Sequence, residues 1–252
     1  MSIMISRKVV VLMAAIAVFA LLAGCTSSAP SEEKKVAIFS GHQDWAPIMS
    51  SANGNNVGIG PNVTKMVFAT FNVKVECKDV GSWDVVQEKA KSGEIDGIVG
   101  AYWNEERAKY FLFSVPYATD DIALFFPEDK GFTYVQKEDL IGKKGIATTG
   151  DSYGQEMDKF IIQTNLNMMR VDTPEQAFAM LKEGKADYFI YSASAGRKVI
   201  AESHLSGFKE SGTVSSQPFY ILVSKNSQYA KDMYKINSSL EVMIAKGNIP
   251  KQ

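Results

Sequence analysis

From Lys35 onward the chain alternates between two hydrophobic patterns. Short runs of β-branched and aromatic residues give way to segments whose apolar positions recur at helical spacing. Val36–Phe39 predicts a strand, residues 61–71 a helix with Pro61 in its first turn, Val73–Cys77 a strand, Ser82–Lys91 a helix and Ile95–Val99 a strand. A second series follows: strand 145–149, a helix from Ser152, strand 169–171, a helix from Pro174 and strand 188–191. Thr173-Pro174-Glu175-Gln176 joins an N-cap, an N1 proline and a reciprocal capping glutamine, a clear helix start. Such alternation argues for α/β architecture with mostly parallel strands. Two continuous apolar strands, Asp121–Phe126 and Phe219–Val223, frame the second series. If the chain crosses at the first and returns at the second, residues 35–122 and 220–252 form one lobe and 123–219 the other. A stripe of Tyr229, Met233, Ile236, Leu240 and Met243 predicts a final helix packed on the first lobe.

The first residues read as an address. Arg7 and Lys8 precede an uncharged apolar stretch ending at Leu22, followed by Ala23-Gly24-Cys25, the form of a secretory signal over residues 1–24. The stretch is shorter than the roughly 20 residues that cross a bilayer comfortably. Leu22-Ala23-Gly24-Cys25 resembles the lipobox of bacterial lipoproteins, which implies lipidation at Cys25 and a location outside the cytoplasm, on the membrane. Residues 25–34 are small, polar and proline-containing, suited to a flexible tether from anchor to folded body.

Composition narrows the function without choosing it. The 252 residues are 46% hydrophobic and carry a formal net charge of −1, which leaves no basic field for nucleic acid. Two cysteines and two histidines are too few for a disulfide scaffold or an evident metal site. Cys77 reads as a buried strand thiol. No cofactor is implied, and nothing marks an oligomer face, so a monomer is expected.

A set of short motifs in order gives a stronger lead. These are Asp44-Trp45-Ala46-Pro47, Gly81-Ser82-Trp83-Asp84, Ser92-Gly93-Glu94-Ile95-Asp96, and Glu105-Glu106-Arg107 followed by Phe113-Ser114-Val115-Pro116-Tyr117. Residues 139–145 (DLIGKKG) and 181–187 (LKEGKAD) continue the series. Together they resemble the family 3 extracellular solute-binding proteins, which deliver amino acids and related polar solutes to ABC importers. The resemblance implies a type II-like periplasmic-binding-protein fold, two α/β lobes on a two-strand hinge. It implies an importer permease as partner and binding without catalysis.

The same resemblance assigns a site. Arg107 would grip the solute's carboxylate, and its planar fork suits two oxygens as a lysine would not. The residues alone leave a second reading, an exposed ion pair with Glu105 or Glu106. Trp45 and Trp83 would flank the solute with their rings; each could equally be an ordinary half-buried tryptophan. Asp151 and Ser152, in the turn after Gly150, would meet the carboxylate from the second lobe or merely cap a helix. Ser192 stands where the family has the acid that receives the ammonium group. Tyr102, in a bulky Ala101-Tyr102-Trp103 run, stands where a small hydroxylated residue is usual. The ammonium pocket is then rebuilt from Asp44, Asp120 or Asp121, or the solute has no ammonium. His42 raises a rival, an extracytoplasmic lyase of the cyclohexadienyl dehydratase kind on the same scaffold, since acid–base chemistry needs a titratable group near such a cleft.

Overall fold

The computed structural model describes residues 36–249. The expected signal, Cys25 and the tether lie outside the described residues. The strands are β1 (Val36–Ser40), β2 (Asp44–Trp45), β3 (Met49–Ala52), β4 (Asn55–Val57), β5 (Lys74–Cys77), β6 (Gly97–Ala101), β7 (Phe111–Phe113), β8 (Ala118–Pro127), β9 (Lys144–Thr148), β10 (Asn167–Val171), β11 (Tyr188–Ser192), β12 (Phe208–Glu210) and β13 (Ser215–Ser224). The helices are α1 (Ile59–Ala69), α2 (Trp83–Ser92), α3 (Glu105–Tyr110), α4 (Gln155–Gln163), α5 (Pro174–Lys182), α6 (Ala193–Glu202) and α7 (Met233–Ala245). Among the described residues no helix is long and apolar enough to cross a membrane.

Ten strands join in one sheet whose main path runs β10-β9-β11-β8-β13-β6-β1-β5. β5, β1 and β6 pair in parallel at one end, and β10, β9 and β11 do so at the other. Between them lie the two ten-residue strands β8 and β13, antiparallel to each other and to their neighbours. Ser215–Phe219 of β13 pair with β8, and beyond a register shift Leu222 and Val223 pair with β6. One strand thus serves both halves, which makes β8 and β13 the two-strand hinge of a two-lobe α/β fold.

Each half has an apolar interior. In the first, Phe39 meets Phe68 edge-on at 5.1 Å and Phe68 meets Tyr229 at 5.6 Å. Ile236 and Leu240 of α7 are fully buried, whereas Met233 and Met243 are only partly so. The C-terminal stripe therefore packs as expected. In the second half Phe178 of α5 is wedged against Phe125, Phe189 and Phe208. Cys77 is buried in β5, its thiol 3.8 Å from the Pro61 carbonyl. Burial pushes that thiol up to about 11, so it stays protonated and inert at neutral pH.

Element boundaries depart from the sequence pattern in instructive places. α1 starts two residues before Pro61, which keeps the proline within the first turn, where its missing N–H costs nothing. β6 starts at Gly97 rather than Ile95, because Asp96 first ties the strand to β1: its carboxylate accepts from Ile38 N and its own N–H donates to Ile38 O. α4 starts at Gln155, three residues after Ser152. Gly154 is left-handed at φ 90°, and the Asp158 carboxylate accepts from Ser152 Oγ and Tyr153 N, holding this stretch as a loop. The small sheet β2-β3-β4 was not expected, although Asn53-Gly54, both at positive φ, is a strong hairpin signal.

The α5 start is as expected, with Thr173 Oγ1 accepting from Gln176 N and the Gln176 side chain returning to Thr173 N. Thr173→Ala is expected to cost about 1 kcal/mol, a fall in melting temperature of about 2–4 °C for a domain of this size. A thermal scan of the variant checks it.

Candidate functional site

The carboxyl ends of β1, β6 and β9 point their loops at the line where the two halves meet, the place where open α/β sheets present ligands. β1 leads to His42 and Trp45, β6 to Tyr102, and β9 to the Gly150–Ser152 loop. A cavity lies among them, lined also by Trp83, Arg107, Met49 and Phe219. It holds about 20 Å³, enough for a single water. The two halves are therefore closed on each other.

Contacts across this line are specific. Trp83 Nε1 donates to Gly150 O at 3.1 Å, and Gln87 reaches the same oxygen at 3.3 Å. Tyr191 OH donates to Asp44 O at 2.5 Å, while its ring lies 4.9 Å from that of Trp45. On the rim Lys159 pairs with Glu105 at 2.7 Å.

Arg107 sits in the first turn of α3, whose N-cap Asn104 accepts from Arg107 N. Its side chain turns inward and the residue is 5% exposed. Nη1 donates to Tyr102 O at 3.0 Å, Nε to Gln87 Oε1 at 3.3 Å, and the guanidinium lies over the Trp83 ring at 5.4 Å. The surface ion pair with Glu105 or Glu106 does not form: those acids pair with Lys159 and Lys109. Among the described residues Arg107 is in no ion pair. Burial lowers its pKa from the ordinary guanidinium value, and the charges of Asp151 and Asp158 oppose the shift. A guanidinium remains charged under such conditions, so this is a buried cation with no carboxylate in an ion pair with it among the described residues.

Asp120 of β8 anchors the other side. It is 4% exposed, and Oδ2 accepts from Trp45 Nε1 at 2.8 Å and Tyr102 OH at 2.5 Å. Oδ1 accepts from Ser192 Oγ at 3.0 Å and Ser194 Oγ at 3.4 Å. Burial raises its pKa, partly offset by these four donors.

Asp151 and His42 complete the wall. Asp151 Oδ2 accepts from Thr148 Oγ1, and Oδ1 lies 3.4 Å from His42 Nε2. His42 Nδ1 accepts from Asp44 N at 2.9 Å, which puts the imidazole proton of the neutral ring on Nε2, facing Asp151. The ring lies 5.2 Å from that of Trp45 and 5.4 Å from that of Trp83, between the two.

Arg107, Trp45, Trp83, Tyr102, Asp151 and Ser152 thus line one cavity. Ser192 does not; it lies behind the wall on Asp120 and caps α6 through Ala195 N. Trp45 stands in the short strand β2, which was not expected, and Trp83 opens α2, within the helix expected over Ser82–Lys91. Asp121 is exposed and accepts from the Ser216 hydroxyl, away from the cavity. Phe219, Met49, Gln87 and Tyr191 escaped the sequence reading. Phe219 and Tyr191 were legible only as strand residues, since the pattern does not show which face meets the other half.

Three comparisons bear on this geometry. Residues 38–251 match the bacterial extracellular solute-binding proteins, family 3. No curated protein matches. Among solved structures, a histidine kinase sensor domain with similarity to periplasmic binding proteins superposes with TM-score 0.75 at 21% identity, covering 86% of this chain and 93% of its own, which speaks to the fold alone. A mutant of ArgBP from T. maritima is 26% identical with TM-score 0.70, covering 85% of this chain and 91% of its own. An ancestral arginine-binding protein bound to arginine is 27% identical with TM-score 0.71, covering 84% and 93%. With its two lobes, its hinge of two strands and a family match that spans nearly every described residue, the chain belongs to the bacterial extracellular solute-binding proteins, family 3.

Proposed function

We propose that this protein captures a small amino-acid-type solute outside the cytoplasm and delivers it to the permease of an ABC importer, without chemistry of its own. The observation that carries the reading is Arg107: a buried guanidinium, in no ion pair among the described residues, on the wall of the cavity where the lobes meet. A carboxylate placed there gains two charge-assisted hydrogen bonds and relieves a buried charge. The reading is supported by similar solved structures, among them an arginine-bound ArgBP from T. maritima and an ancestral arginine-binding protein bound to arginine.

In this reading residues 35–122 and 220–252 form one lobe and 123–219 the other, and Cys25 carries the lipid that holds the protein at the membrane. Closure works by population shift. The solute touches Arg107 on the first lobe and the Gly150–Ser152 loop on the second, so its binding energy favours the closed arrangement. With the cavity this small, the lobes must part to admit a solute.

A thermal-shift screen of the twenty proteinogenic amino acids tests the proposal. A true solute at a hundred times its Kd stabilises by about 2.7 kcal/mol, an upward shift of about 5–10 °C in melting temperature. No shift with any amino acid would count against it.

A further inference from the structure

We infer that Gln87 is a positioning residue that couples the grip of Arg107 to the closure of the lobes, its amide meeting the guanidinium at one end and the second lobe at the other. The inference rests on Arg107 as the solute's anchor, the reading given above, and adds the part that joins this anchor to the moving half.

Gln87 is half-buried on α2, one turn after Trp83. Residues four apart share a helix face, so the two side chains work on the same surroundings. Gln87 Oε1 accepts from Arg107 Nε at 3.3 Å, and Nε2 donates to Gly150 O at 3.3 Å. Its remaining contact among the described residues, Nε2 to Trp83 O in its own helix, is the longest of the three at 3.5 Å. Trp83 makes the companion pair, with Nε1 on Gly150 O at 3.1 Å and its ring 5.4 Å from the guanidinium. Two side chains of one helix thus hold Arg107 of the first lobe and Gly150 of the second.

An amide suits this bridge and few other groups do. A guanidinium N–H can only donate and a peptide carbonyl can only accept, so the bridging side chain needs an acceptor and a donor side by side. Glutamate would keep Arg107 and repel the Gly150 carbonyl, lysine would do the reverse, and leucine would hold neither. The far end is closely fitted too. A Cβ on Gly150 would lie 3.0 Å from Gln87 Nε2 and 3.3 Å from Trp83 Cδ1.

Coupling follows from which contacts survive opening. Tyr102 O and Gln87 stand in the first lobe with Arg107, but Gly150 leaves with the second. Without that carbonyl the Gln87 amide is free to turn, and Arg107 Nε loses a fixed acceptor. Tyr102 O alone then orients the fork through Nη1. Closure therefore sets the guanidinium plane, and by reciprocity a solute that uses that plane favours closure by the same factor.

Stopped-flow kinetics on the full chain tests the coupling, with the tightest binder among the twenty proteinogenic amino acids as probe. Gln87→Leu is expected to speed dissociation about tenfold while association changes by less than about threefold. Gln87→Met takes its place if the leucine variant folds poorly. Gln87→Glu carries the deciding readout: it keeps an acceptor for Arg107, yet should release the probe at least as fast as leucine. Wild-type dissociation in either folded variant overturns the coupling, and from glutamate it would leave Gln87 as a prop for Arg107 alone. In a double-mutant cycle of Gln87→Leu with Gly150→Ala the affinity losses should not add, because once Gly150 is displaced Gln87 has no second partner to lose. Additive losses overturn the inference while leaving Arg107 as the anchor. Should wild-type protein bind none of the twenty, the amino-acid reading falls, and the same cycle is read from melting temperatures of the unliganded chain. Sub-additive shifts there sustain the link from Gln87 to the second lobe, and additive shifts end it.

Discussion

Replacing Arg107 with methionine is expected to lower solute affinity by about thirty-fold to several-thousand-fold, while the melting temperature of the unliganded protein moves by no more than about 3 °C. The first figure follows from the cost of truncating one partner of a buried, hydrogen-bonded charge pair, about 2–5 kcal/mol. The second follows from what holds the guanidinium within the protein itself: hydrogen bonds to Tyr102 O and Gln87 Oε1, a position over the Trp83 ring, and, among the described residues, no carboxylate partner. Methionine keeps the apolar stem against the indole, and the lost hydrogen bonds are balanced by relief from burying an unpaired charge. Arg107→Lys keeps the charge without the fork and should fall between. A folded methionine variant that binds as tightly as wild type by calorimetry removes Arg107 from the site. One that melts far below wild type recasts it as a structural residue.

The sequence made the architecture readable because strand and helix patterns are local. Alternation at the right spacing located the cores of the main strands and helices, and Thr173-Pro174-Glu175-Gln176 gave the start of α5 outright. What escaped was set by long-range pairing. The true start of β6 depends on Asp96 binding across to Ile38, and the late start of α4 depends on Asp158 reaching back to Ser152 and Tyr153. No window of apolar positions records either contact. The candidate residues fared similarly. Motif order brought Arg107, Trp45, Trp83, Tyr102, Asp151 and Ser152 together, and the structure places all six on one cavity. Ser192 was misplaced because the motif fixes its position along β11, not the carboxylate of Asp120 that claims its hydroxyl. Asp120 could be named only as one of three acids, since the fourfold donor set around it comes from residues up to seventy-five positions away.

Asp120→Ala is expected to be the most destabilising of these changes, about 3–5 kcal/mol, or roughly 6–20 °C in melting temperature. The reason lies in what the alanine leaves behind. Trp45 Nε1, Tyr102 OH and Ser192 Oγ are buried donors aimed at this carboxylate, and each orphaned donor costs about 1–3 kcal/mol. Two of those donors stand in the first lobe and the serine in the second, so the carboxylate also fastens the lobes in their closed arrangement. Asp120→Asn separates the two ingredients. It removes the buried charge, whose burial raises the pKa in the folded protein, and retains one oxygen acceptor. Its stability loss should therefore be clearly smaller than that of alanine. Equal losses for alanine and asparagine, measured by denaturant titration on unliganded protein, would mean that the charge itself matters more than the acceptor. Two variants as stable as wild type would mean that the four donors find other partners, and that lobe closure rests on Trp83, Gln87 and Tyr191 without Asp120.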